Sequence, residues 1–139
     1  MAEKRLTLEI VTPEEIKYRG EIKILVTPGP LSSLGVLPDH ISLITTVLTG
    51  ETIIRLPDNS EIYFAMREGL MEVDSNHITL LVDEAVVNSD VNIEEEKILL
   101  EKVRSSLLED IDNQAREKLQ KELHYILARI NICSKGEFL

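Results

Sequence analysis

Residues 52–65 read T-I-I-R-L-P-D-N-S-E-I-Y-F-A, and their reading decides the fold. Thr52-Ile53-Ile54-Arg55-Leu56 and Glu61-Ile62-Tyr63-Phe64-Ala65 are alternating runs, joined by Pro57-Asp58-Asn59-Ser60, four turn formers. That arrangement predicts a β-hairpin. On its C-terminal side the grammar repeats: Leu70-Met71-Glu72-Val73, a break at Asp74-Ser75-Asn76, then His77-Ile78-Thr79-Leu80-Leu81-Val82. On its N-terminal side Leu6, Leu8 and Ile10 alternate with Thr7, Glu9 and Val11, the period of a half-buried strand, and Thr12-Pro13-Glu14-Glu15 ends it. Ile16 and Tyr18 lead to Gly20, after which Ile22, Ile24 and Val26 alternate with Lys23 and Leu25 until Pro28-Gly29-Pro30. Short strands at such spacing predict an all-β sandwich or barrel, with no alternation of strands and helices to suggest a doubly wound nucleotide-binding sheet.

Between these strands lies Leu34 to Gly50, L-G-V-L-P-D-H-I-S-L-I-T-T-V-L-T-G, a polar corner joined to two apolar runs. Gly35 can supply a backbone conformation closed to most residues, Pro38 sets its own φ and extends Leu37, and Asp39 can bond its local backbone. His40 sits at the tip, and Ile41, Leu43 and Ile44 after it call for burial.

At Asn88-Ser89-Asp90 strand alternation stops, which predicts a β-sandwich over 1–90 and a helical unit over 91–139. Asn92 with Glu95 resembles a capping box, Glu94, Glu95 and Glu96 suit a helix N-terminus, and Leu99, Leu100, Val103 and Leu107 form a stripe reaching about Leu108. After the polar hinge 109–113, Leu119, Leu123, Ile126, Leu127 and Ile130 recur at helical spacing. The expected architecture is therefore mainly β with an α appendage: an N-terminal antiparallel β-sandwich followed by a C-terminal antiparallel two-helix hairpin.

A net charge of -10 argues against nucleic acid, whose affinity rests on Lys and Arg neutralising phosphates, and against direct adhesion to anionic lipid. The charge is uneven: residues 1–90 hold seven Lys/Arg against fifteen Asp/Glu, and residues 91–139 eight against ten. Arg116, Lys118, Lys121 and Arg129 lie on the second helix, a solvated face or a weakly basic ridge for an acidic partner. No run reaches the ~18 apolar residues of a membrane span, and the opening Met1-Ala-Glu-Lys-Arg-Leu lacks a signal-peptide core. Direct membrane insertion is not expected. The single cysteine, Cys133, excludes an internal disulfide and reads as a small apolar residue.

Catalysis needs convergent groups, and few are offered. His40, His77 and His124 lie in a turn, a strand start and a helix, with no H-E-x-x-H, so a zinc site is not expected. There is no G-x-S-x-G, phosphate loop or dinucleotide fingerprint. The paired acids Asp83-Glu84 and the Glu94–Glu96 run are neighbours in sequence, and on a strand such neighbours point to opposite faces. The residues favour a binding or regulatory part over an enzyme, with no cofactor implied.

Three features together, the L-G-V-L-P-D-H corner, Glu68-Gly69-Leu70-Met71-Glu72-Val73 with Ile78–Val82, and Asp83-Glu84-Ala85 through Asn88-Ser89-Asp90-Val91-Asn92, resemble the epsilon subunit of F-type ATP synthases of bacterial or plastid type. The resemblance spans nearly the whole chain. It implies a non-catalytic central-stalk subunit of a proton-translocating synthase, binding the gamma subunit and the c-ring and turning with them. It also implies that Leu37, Pro38, Asp39 and His40 face the c-ring. The helical hairpin would lie on the sandwich or extend to the catalytic alpha and beta subunits, where Arg116, Lys118, Lys121 and Arg129 would meet an acidic segment and restrain ATP hydrolysis. Its setting would be peripheral, at the thylakoid on the stromal side or the cytoplasmic face of a bacterial plasma membrane. The alternative is a stand-alone β-sandwich adaptor or carrier.

The chain departs from that family's pattern in places. Ser32 and Ser33 replace small and acidic residues before Leu-Gly, and Glu68 replaces the first glycine of a Gly-Gly pair. Some bacterial members bind ATP through I-D-x-x-R-A, where this chain has Val91, Asn92, Glu95 and Glu96. An acid in place of a phosphate-binding arginine predicts no useful ATP affinity.

Overall fold

The computed structural model describes residues 4–136; the ends of the two units expected at 1–90 and 91–139, including the opening Met1–Glu3, lie outside the described residues. Ten strands come first: β1 Leu6–Val11, β2 Ile16–Ile22, β3 Ile24–Pro28, β4 Ser33–Val36, β5 Leu43–Val47, β6 Gly50–Arg55, β7 Glu61–Met66, β8 Gly69–Asp74, β9 His77–Val82 and β10 Ala85–Val87. A single 3-10 turn, Asn88–Asp90, leads to α1, Ile93–Leu107, and α2, Asn113–Gly136. The strands form two five-stranded sheets, one ordered β2-β1-β9-β8-β5 and the other β10-β7-β6-β3-β4. Every pairing is antiparallel except that β1 runs parallel to β9.

The hairpin that opened the sequence reading is β6–β7, in register from Gly50↔Met66 to Arg55↔Glu61. Its loop closes where the Leu56 amide donates to the Ser60 carbonyl at 2.8 Å and Asn59 adopts φ 71°. Asparagine tolerates that left-handed conformation better than most side chains. The core between the sheets is almost wholly aliphatic, built from residues such as Leu6, Leu8, Ile10, Ile54, Met71, Ile78 and Leu80.

Two expectations about phase are corrected. Ile22 faces the core, but beyond it Leu25 and Thr27 are buried while Ile24 and Val26 are only half-buried. At Lys23 the chain leaves the first sheet for the second, and this break reverses the parity of the alternation. Likewise, the apolar residues after the corner are not buried: Ile41 is 78% and Ile44 72% exposed, and only Leu43 is half-buried. β5 is an edge strand with one face inward, so alternate residues must face out.

The helices pack antiparallel on each other, Arg116 near Leu107 at one end and Arg129 near Glu96 at the other. The Asn92 side chain caps α1 by accepting from the Glu94 and Glu95 amides at 3.1 and 3.3 Å. Asp112 caps α2 in the same manner through the Ala115 amide at 2.7 Å. The hairpin docks through α2, whose Tyr125, Ala128 and Ile132 pack on Ala65 of the second sheet. Those residues are one turn apart on a face of α2 other than the Leu119–Leu123–Ile126 stripe. The Leu99 of the expected α1 stripe is exposed, and the one buried residue of α1 is Glu96.

Candidate functional site

The corner is held by hydrogen bonds from within and from a neighbouring turn. Leu37 carbonyl accepts from the His40 amide at 3.2 Å, which closes the turn, and Asp39 sits at φ 66°. The left-handed residue is thus Asp39 and not Gly35, which has no positive φ. Asparagine 76, at the tip of the β8–β9 turn, braces this loop from outside: its Oδ1 accepts from the Asp39 amide at 2.6 Å and its Nδ2 donates to Asp39 Oδ1 at 3.2 Å. Lys4 pairs with the other carboxylate oxygen. The Lys4 hydrogen bond, then Asn76, hold the Asp39 carboxyl below the usual carboxylate range. His40 Nδ1 donates to the Ile41 carbonyl at 2.8 Å, which leaves Nε2 as the ring nitrogen for an outside partner. Leu37 and Ile41 flank it as exposed apolar side chains.

Beside this corner lies the outer face of the first sheet. The second sheet is covered by α2 through β6 and β7; the first sheet has no such cover among the described residues. Register places Thr46 beside Leu70, Leu70 beside Leu81, Leu81 beside Val11 and Val11 beside Ile16, one row across all five strands. Leu70 and Leu81 are 48% and 51% exposed, and Ile44 extends the patch toward the corner. A contiguous apolar row on a sheet face marks a docking surface more than a scatter of single exposed residues does.

The four basic residues expected on the second helix do not form one exposed ridge. Arg116 donates to the Leu107 carbonyl at 3.0 Å, so it joins the two helices. Lys121 lies 3.9 Å from Glu68, and Lys118 is exposed. Arg129 is turned inward, 18% exposed, 3.0 Å from Glu96 Oε2. Its guanidinium lies 4.5 Å from the Tyr125 ring centroid, and Arg67, from the β7–β8 connection, lies 4.4 Å from the same ring. Burial pushes the Tyr125 hydroxyl up to about 12. In the sequence Glu96 reads only as an acid at the N-terminus of α1, and Arg67 and Tyr125 are not brought into a site; the spacing of Tyr125 and Arg129, four apart on a helix, was the available signal.

Between α1, α2 and the sandwich is a recess of about 380 Å³ whose walls include Glu14, Glu84, Asp90 and Glu95 against Lys17 and Arg129. Its acidic lining opposes a polyphosphate. The Glu68 position is exposed, its amide donating to Thr49 Oγ1 at 3.1 Å, whereas a Cβ on Gly69 would lie 2.0 Å from the Leu81 carbonyl oxygen. The second position of the Gly-Gly pair is therefore the one that space demands. Among the described residues no group of three or more His, Cys, Asp or Glu side chains is placed to hold a metal ion, and no helix is long and apolar enough to cross a membrane.

A braced corner and an apolar sheet face, with a helical hairpin docked behind them, define a binding subunit. Residues 5–88 match the family described as ATP synthase, Delta/Epsilon chain, beta-sandwich domain, and the chain belongs to the epsilon chain family of F-type ATP synthases, an accessory subunit rather than the catalytic one. An ATP synthase epsilon chain of Persephonella marina is 33% identical over 132 residues, 90% of this chain and 97% of that one. One from a Sulfurovum species is 36% identical over 107 residues, 73% and 84% of the two chains. In solved structures the fold is shared with a chain of the Euglena gracilis mitochondrial ATP synthase OSCP/F1/c-ring assembly, TM-score 0.76 at 16% identity over 95% of this chain and 81% of that one. A chain of the Tetrahymena thermophila central stalk and c-ring assembly gives TM-score 0.57 at 15% identity over 98% of both. The partners therefore belong to an ATP synthase, a membrane-bound complex.

Proposed function

We propose that this chain couples the gamma subunit to the c-ring in the central stalk, turning with both, and that its hairpin restrains ATP hydrolysis by transient contact with the alpha and beta subunits. Leu37, Pro38, Asp39 and His40 form the c-ring side. The outer face of the first sheet takes the gamma subunit. The observation that carries this division is the apolar row Ile16, Val11, Leu81, Leu70, left uncovered while α2 occupies the other sheet. Polar c-ring loops suit the corner, because Asn76 and Lys4 hold Asp39 in place and the His40 Nε2 remains available. A broad apolar surface suits a large protein partner, which can bury side chains that water now meets. The setting is peripheral to a membrane, at the thylakoid or the bacterial plasma membrane, held there by the complex.

The test is a reconstituted complex carrying His40→Cys. Crosslinking with a short thiol reagent is expected to join this position to a cysteine in the c-subunit polar loop, and truncation after Asp90 is expected to raise ATP hydrolysis. Absence of the crosslink, with the complex assembled, removes the c-ring assignment; unchanged hydrolysis removes the hairpin's restraint.

A further inference from the structure

We propose that the stack Arg67–Tyr125–Arg129, closed by Glu96, is a latch that decides whether the hairpin stays on the sandwich. Its consequence for hydrolysis rests on the regulatory reading of the hairpin given above; the latch itself does not. The hairpin's apolar seat is small. Its four buried members are Ala65, Tyr125, Ala128 and Ile132, two of them alanines, with Tyr63, Val86 and Val91 partly buried against them, and Tyr125 is the largest side chain buried there. Two guanidinium groups lie over this one ring, 4.4 and 4.5 Å from its centroid. Each cation gains from the ring quadrupole, more so away from water.

The two arginines come from different parts of the molecule. Arg67 belongs to the sandwich and is tied by Glu84 at 3.3 Å and by Glu122 of α2 at 2.9 Å. Burial alone would lower its charge affinity; Glu122 and Glu84 outweigh it and raise its pKa. Arg129 belongs to α2 and is tied by Glu96 of α1. Sandwich, α2 and α1 are therefore joined through one ring. Loss of any member exposes the others to an imbalance: without Glu96, Arg129 is a buried cation beside a second cation.

The pair is also poised to open. Glu96 Oε2 and Arg129 Nε are both buried and 3.0 Å apart, yet neither makes an aligned hydrogen bond there. Attraction between ions buried without full hydrogen bonding only roughly offsets the loss of hydration, so release into water costs little. Docking competes with outward binding. Arg129, Lys121 and Lys135 are occupied by Glu96, Glu68 and Glu51, internal acids standing where an acidic partner would be.

The experiment is amide hydrogen exchange on the full chain, with maleimide labelling of Cys133, the single, half-buried cysteine of α2. Tyr125→Ala and Glu96→Gln are each expected to raise exchange across residues 93–136 and the Cys133 labelling rate about tenfold. Exchange in β1, β8 and β9 stays unchanged. Tyr125→Phe keeps the aromatic ring under both guanidinium groups and is expected to behave as the parent chain. Unchanged hairpin protection in both disruptive variants, or loss of protection in β1, β8 and β9 alongside the hairpin, overturns the latch. ATP hydrolysis of the complex with Glu96→Gln is read separately: a loosened hairpin with unaltered hydrolysis keeps the latch and removes the regulatory role.

Discussion

Replacing Ile44, Leu70 and Leu81 together by serine tests directly the surface proposed for the gamma subunit. Full burial of a Leu or Ile side chain is worth about 1.5–3 kcal/mol. Leu70 and Leu81 are already half covered and Ile44 less so, which leaves roughly 1 kcal/mol for each leucine and about 1.5 for the isoleucine to gain on docking. The sum, about 3.5 kcal/mol, corresponds to a few hundredfold in Kd. Since part of each side chain remains at the rim, a loss of about a hundredfold is the expected result. Calorimetric titration of the purified chain against the gamma subunit measures it. Urea unfolding should move by no more than about 0.5 kcal/mol per site, because these side chains contribute little to the folded chain alone. Leu108→Ser, at an exposed residue beyond α1, is the control and should leave the affinity unchanged. Affinity within threefold of the parent in the triple variant would refute the assignment of this face.

Other outcomes follow from particular contacts. Gly69→Ala places a Cβ 2.0 Å from the Leu81 carbonyl oxygen and 2.8 Å from Val82 Cα, so β8 and β9 must separate. Denaturant unfolding should show a loss of about 3 kcal/mol, whereas Gly35→Ala, with nothing within 4 Å and no positive φ, should stay within about 0.5 kcal/mol. Asp39 ionises below the usual carboxylate range, so its contribution to the corner is complete above that range and disappears as pH falls through the lowered native value. Carboxyl NMR titration should show this, with Lys4→Ala returning Asp39 toward the usual range; an Asp39 that titrates there with Lys4 present contradicts it. Calorimetry of the chain with ATP should show no binding below millimolar concentration, given Glu95 and Glu96 beside the recess between hairpin and sandwich.

Much of the architecture was legible residue by residue. The P-D-N-S loop, the alternation of Leu6, Leu8 and Ile10, and the Asn92 cap are local signals, set by backbone preferences and by side-chain period over a few residues. The reversed parity at Leu25 was not, since a change of sheet at Lys23 leaves no mark in composition. The corner residues Leu37–His40 were legible as a turn, but the brace that holds them comes from Asn76, thirty-seven positions from Asp39. The basic residues of α2 were legible as charges, and their orientation was not: Arg129 carries the same formula whether it faces solvent or the Tyr125 ring.

Sequence by itself therefore determined most of the strands, the two helices, the presence of a turn at the corner and the family to which the chain belongs, because these depend on local conformational preference and on patterns that survive in order along the chain. It did not mark Ser33–Val36 or Ala85–Val87 as strands or Asp39 as the left-handed residue. Tertiary structure alone decided that β1 runs parallel to β9, that the first sheet's outer face lies open with Leu70 and Leu81 in one row, and that Glu96, Arg129, Tyr125 and Arg67 meet. Those facts depend on which distant segments desolvate each other, and burial is a property of the packed chain as a whole.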